Sequence, residues 1–171
     1  LAGIPSVVVG FLGILVVGPV IARLFHVSHG LTALNGAVLL AVMALPTIIS
    51  ISEDAIGSVP QEFKQASLAL GATRWQTLTQ VTLPAAASGI FASVMLGMGR
   101  AIGETMTVLM ACGNAPSMPR GYLDSIQTMT ATIAIELGET VQGGTHYRSL
   151  FVIGFLLFVM TFVVNLISDL V

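Results

Sequence analysis

The sequence predicts an all-α membrane protein that crosses the bilayer several times, and three observations carry that prediction. Of 171 residues, 55% are hydrophobic and only 8% charged, against roughly 25% charged in an ordinary soluble domain. Mean hydropathy is +0.96. Four runs are long and apolar enough to span, because about 20 residues rising 1.5 Å each are needed to cross roughly 30 Å of hydrocarbon. This composition excludes a soluble enzyme, a disordered tail and a disulfide scaffold. Six Lys+Arg against eight Asp+Glu give no basic face for nucleic acid. Cys112 is the single cysteine, so it has no partner for an internal bridge or a thiolate metal site and reads as a small apolar residue in a helix. The chain opens at Leu1 with no basic segment ahead of its apolar run. Residues 1–22 therefore do not read as a signal peptide, and the sequence is expected to be a fragment of a longer membrane protein.

The first uncharged run is 1–22, with Pro5 and Pro19 trimming its helical part to about 5–22. A short turn at 26–30 leads to the second, 31–52, where Pro46 predicts a kink. The third expected span, 85–112, is interrupted only by Arg100 and Glu104, and the fourth, 149–168, carries no charge. Between the second and third lies a segment too polar to cross, containing Lys64, Arg74 and Trp75. Over about 58–84 it reads as a helical hairpin. Ser58 with Gln61, and Thr73 with Gln76, have capping-box spacing, and Gly71 stands where a helix end needs positive φ. Phe63, Ala66 and Leu70 share one face of its first helix. The loop 113–148 opens on Gly113-Asn114-Ala115-Pro116 and closes on Gly143-Gly144, both turn compositions. Within it, Ile126, Met129, Ile133 and Leu137 recur at helical spacing over 125–137, too short to span, which predicts a re-entrant or interfacial helix. Basic residues are spread evenly between the loops, so they do not orient the chain.

Chemistry concentrates in the third span. Arg100 and Glu104 are four apart, so on one helix they can reach each other. A charge at mid-bilayer costs at least about 2.5–3.5 kcal/mol, which makes both functional candidates facing protein or water. Gly89, Ser93 and Gly97 recur at four-residue spacing beside them, and Gly99 and Gly103 add further small residues at which a second helix can approach closely. The pair is thus expected to point into a helix interface or a pore. A guanidinium presents a planar fork suited to an oxyanion, and Glu104 could hold it when the pathway is empty.

Gln65-Ala66-Ser67, three residues, Gly71, nine residues and Val81-Thr82-Leu83-Pro84 resemble the EAA loop of ABC-importer permeases, with Gln65, Ser67 and Val81 departing from its usual Glu, Ala and Ile. Together with Gly99-Arg100-Ala101-Ile102-Gly103-Glu104-Thr105-Met106, the chain resembles the phosphate ABC-importer permeases of PstC type. The resemblance implies a polytopic type I permease fold in the prokaryotic inner membrane, of which these four spans would be the last. It implies that the EAA-like loop faces the cytoplasm, with Glu62, Gln65, Ala66, Ser67, Gly71, Leu83 and Pro84 coupling to an ATPase subunit. It further implies a second permease subunit and an extracytoplasmic phosphate-binding protein, in contact with 26–30 and 113–148. Arg100 and Glu104 would line the substrate pathway. No Gly-x-x-x-x-Gly-Lys loop occurs, so ATP and Mg would belong to the partner ATPase and the chain itself would bind no cofactor. Sulfate and molybdate permeases have a related Arg-Ala-x-Gly-Glu segment, which keeps another oxyanion as the alternative.

His26, His29 and His146 lack metal-ligand spacing and read as loop residues; Glu136 and Glu139 flank the outer helix. Thr47, Ser50 and Ser52 could supply hydroxyls to a pathway. A rival reading, an intramembrane enzyme using Glu104, Glu136 and a histidine, needs these groups gathered at one depth. A purely structural subunit is a third reading, distinguished by whether an ATPase copurifies.

Overall fold

A computed structural model describes residues 5–170; the first four residues of the expected first span, and Val171, lie outside the described residues. Helix α1, Ser6–Phe25, ends where His26 turns into the left-handed region at φ 54°. Helix α2, Ala33–Gly57, follows. The hairpin consists of α3, Gln61–Ala69, and α4, Arg74–Ala85. Beyond a 64° bend come α5, Ala87–Ile102, and α6, Met106–Ala111. A long loop then leads to α7, Met129–Glu136, and α8, Thr145–Asp169.

The expected third span, 85–112, is thus not one helix. Its chain bends at Ala86, stops at Ile102 and restarts at Met106. Gly103 forms the C-cap, and Gly103-Glu104-Thr105 leave the helix. The other spans are longer than the uncharged runs suggest. Helix α2 continues through Glu53 and Asp54, which reach the hairpin end where water can solvate them, and α8 begins before Arg148.

Two of the prolines follow a widened turn. Residues Gly13–Val17 form a π turn just before Pro19, and Leu78–Thr82 form another just before Pro84. Proline has no N–H, and its ring crowds the carbonyl four residues back. Widening the helix to i→i+5 bonding removes that clash without ending the helix. Pro46 lies inside α2 with no such turn.

Helices α2 and α8 pack against α5, α1 packs against α6, and α7 packs against α8 beside the break. The core cluster of Val9, Leu39 and Ala111 lies where α1, α2 and α6 meet, with Val17 and Met43 against it. Asn35 organises this junction. It is fully buried, and its Nδ2 donates to Gly13 O at 3.1 Å and to Ala111 O at 3.2 Å. One amide thereby ties three helices. The first N–H groups of α2, which have no partner inside the helix, are met by the long loop. Ala33 N donates to Asp124 O at 2.9 Å and Leu34 N to Tyr122 O at 2.8 Å, while Thr32 Oγ1 accepts from Asn35 N. Outward-facing Phe151, Phe155, Phe158 and Phe162 on α8 are each more than half exposed. Such a helix needs apolar surroundings, as a bilayer or a neighbouring helix supplies.

The expected capping box at Thr73 and Gln76 forms in both directions. The one expected at Ser58 does not: Ser58 Oγ donates to Ala55 O and Pro60 caps α3. Gly71 has φ +86°. Ala72 N donates to Ser67 O and Gly71 N to Leu68 O, the paired bonds of a Schellman end, which require a left-handed residue at this position. The interfacial helix expected over 125–137 is shorter, Met129–Glu136, with Thr128 as its N-cap.

A broken span with an exposed guanidinium

The seam between α2 and α5 is built from small groups. A Cβ placed on Gly89 would stand 2.5 Å from Ala55 Cβ, and one on Gly97 would stand 2.5 Å from Ile48 Cγ1. Between them Ser93, fully buried, meets Ser52 hydroxyl to hydroxyl at 2.7 Å and also donates to Ile90 O. The helices run antiparallel, and the expected packing role of Gly89, Ser93 and Gly97 is seen at α2. Gly99 faces the other side, where a Cβ would meet Asn165 Oδ1 of α8 at 3.2 Å. Gly103 corrects the expectation: its nearest groups are carbonyls of its own helix, so it ends the helix and packs against no other.

Arg100 closes the seam. Its Nη1 donates to Thr47 Oγ1 at 3.2 Å, and the residue is exposed. Thr47 is two residues past the midpoint of α2, about 3 Å along the axis. The guanidinium therefore lies beside the apolar stretch of α2, between its middle and the charged hairpin end, with donors left over. It also lies in the last turn of α5, where the helix dipole favours a cation.

Glu104 lies elsewhere. The helix ends before it, so the i, i+4 relation to Arg100 is lost, and among the described residues the only ion pair is His146–Glu136. The Glu104 Oε1 accepts from Thr107 N at 3.4 Å, while the Thr107 hydroxyl lies closer to Ser6 O, at 3.0 Å, placing the anion at the start of α6, the favourable end of that dipole. Thr130 Oγ1 of α7 donates to Glu104 O at 2.8 Å. A cavity of about 220 Å³ adjoins this side, bordered by Leu40, Val108, Thr128 and Leu157. The two charges thus serve two different faces of the break.

In the hairpin, Glu62, Gln65 and Ala66 are exposed. Phe63 is 58% and Leu70 89% exposed, so the apolar face of α3 points outward. Ser67 turns inward and bonds Thr77 at 3.0 Å, fixing α3 to α4. Leu83 and Pro84 lie in the final turn of α4. Among the loop residues, His146 Nε2 lies 2.8 Å from Glu136 Oε2, and Gln127 Nε2 donates to Glu136 Oε1 at 3.2 Å. Glu136 and Glu104 therefore have separate partners. Of the hydroxyl candidates, Thr47 holds Arg100 and Ser52 holds Ser93. Sequence reasoning missed Asn35, although a lone amide three residues after a capping Thr in an apolar run was its signal.

The chain is 44% identical over 162 residues to the probable ABC transporter permease protein YqgH of Bacillus subtilis, covering 95% of this chain and 52% of that protein. It is 36% identical over 187 residues to the phosphate transport system permease protein PstC of Mesorhizobium japonicum, covering 98% and 57%. To PstC of Xylella fastidiosa it is 35% identical over 190 residues, covering 99% and 58%. The chain thus spans little more than half the length of these curated relatives. No solved structure matches it. Residues 1–171 match the family described as binding-protein-dependent transport system inner membrane component. With its long apolar helices and broken central span, the chain belongs to that family of inner-membrane permeases.

Proposed function

We propose that this chain forms part of the translocation pathway of an ATP-driven importer of inorganic phosphate, and that its hairpin couples the pathway to a cytoplasmic ATPase. The observation that carries the reading is the exposed guanidinium of Arg100 beside the apolar stretch of α2, tethered by one bond to Thr47. Lipid cannot accommodate that charge cheaply, so the face it occupies belongs to a pathway or a partner helix. Arg stays charged there and matches a tetrahedral oxyanion with parallel donors. Relatives named as phosphate transport system permeases favour phosphate over other oxyanions. Coupling is supported by the outward apolar face of α3 and its Gly71 stop. A second permease subunit, the ATPase with its ATP and Mg, and a phosphate-binding protein complete the proposed assembly. ATPase closure would move the hairpin and, through α4, the bent α5.

The test is phosphate uptake by cells producing the full-length permease with Arg100→Ala, Arg100→Lys or Glu104→Gln, with sulfate and molybdate uptake measured in parallel. Arg100→Ala abolishes phosphate uptake while the complex stays in the membrane, and Lys restores part of it. Glu104→Gln keeps acceptor oxygen for Thr107 and loses less. Normal phosphate uptake by Arg100→Ala would falsify the pathway role; loss of sulfate or molybdate uptake instead would reassign the substrate.

A further inference from the structure

A cleft of about 350 Å³ opens at the hairpin end of the molecule, between the end of α2, the inner side of α3 and the start of α4. Its walls include Ile56, Leu68 and Leu78, and its border carries Lys64 and Arg74. Among the described residues no carboxylate pairs with either cation. Lys64 Nζ reaches only the Ile56 carbonyl, at 3.5 Å. Ile56 is the penultimate residue of α2, at the end of a span. Helix α4 is turned 64° from α5, so it leaves the spanning direction near the boundary between hydrocarbon and headgroups. Trp75, beside Arg74 and 71% exposed, is the kind of ring that concentrates at that boundary.

We propose that this cleft holds an anionic phospholipid, with Lys64 and Arg74 on its phosphate diester and Ile56, Leu68 and Leu78 against the start of an acyl chain. Three aliphatic walls suit a chain and offer nothing to a hydrated free anion, whereas the two unpaired cations suit the headgroup. The cleft is also distinct from the proposed ATPase-docking face. At 100° per residue, Lys64 and Leu68 lie roughly 150° around α3 from Phe63, Ala66 and Leu70. The proposal rests on the membrane location of the family and not on the transported substrate.

The experiment uses the assembled complex containing the full-length permease, purified from membranes and reconstituted in nanodiscs of phosphatidylcholine with a minor fraction of phosphatidylglycerol. Bound lipid is counted by extraction and native mass spectrometry. Phosphatidylglycerol stays with the wild-type complex, and Lys64→Gln combined with Arg74→Gln lowers its retention about tenfold or more. Leu68→Trp fills the cleft with both charges intact and gives a similar loss, which covers the case in which the charge variant does not assemble. Arg120→Gln, in the long loop, changes nothing. Equal retention in wild type and cleft variants overturns the proposal. So does displacement of the lipid by millimolar inorganic phosphate.

Discussion

Replacing Asn35 by alanine tests whether one buried amide holds α1, α2 and α6 together. The two carbonyls it serves are not equivalent. Gly13 O also accepts the Gly18 N–H of the π turn, so it keeps a partner after the substitution. Ala111 O, at the end of α6, has Asn35 Nδ2 as its partner and loses it. A carbonyl stranded in a buried place costs about 1–3 kcal/mol, while interhelical hydrogen bonds measured in a membrane average about 0.6 kcal/mol. The native amide also carries a defect, since Asn35 Oδ1 is buried without a partner, and its removal offsets part of the loss. The balance is a destabilisation of about 1–2 kcal/mol, dominated by Ala111 O. Reversible unfolding of the purified full-length permease in detergent measures it. Ser52→Ala is the comparison, because Ser93 keeps its bond to Ile90 O and only one neutral bond is lost. If Asn35→Ala costs no more than Ser52→Ala, the three-helix clamp is not a stabilising element.

Gly71→Val places a β-branched residue at φ +86°, where no neighbouring atom lies within 4 Å of a new Cβ, so the strain is purely conformational and costs about 1–3 kcal/mol. Uptake falls while ATP hydrolysis persists, and Gly71→Asn, which tolerates this region, retains most uptake; paired uptake and ATPase assays decide. Gly89→Ala sets two Cβ atoms 2.5 Å apart, and neither can rotate away, so the seam must open. Its unfolding midpoint drops by the equivalent of about 1–3 kcal/mol, whereas Gly57→Ala, with open space around it, is silent in the same melt.

The spans were legible because lipid imposes a coarse demand: enough consecutive apolar residues to cover its thickness. The same demand hides the break. Gly103-Glu104-Thr105 sits inside an apolar run, and hydropathy carries no information about which carbonyl each N–H finds. Pro19 announced a disturbance and Pro84 was read only as part of the EAA-like motif, while the widened turns before both depend on backbone geometry rather than composition. At the hairpin the local code was stronger. Thr73 with Gln76 and the Gly71 stop formed as their spacing predicted, because each is satisfied within a few residues. Ser58 failed because Pro60 already starts the next helix, leaving its hydroxyl to bond back to Ala55.

The break also separates two charges that spacing alone would have paired. Stopping a helix inside an apolar span exposes carbonyls at one end and N–H groups at the next, and neither can be left to hydrocarbon. Arg100 stands at the first end and Glu104 at the second, each where the local dipole favours its sign. Glu104 accepts from Thr107 N, and its backbone carbonyl is covered by Thr130. Arg100 gives one donor to Thr47 and keeps the rest exposed. A guanidinium neutralised by an adjacent carboxylate would have little left for an incoming anion. Dividing the pair across a helix break leaves Glu104 bonded within the scaffold and Arg100 exposed with donors to spare, which is the arrangement the proposed anion pathway requires of it.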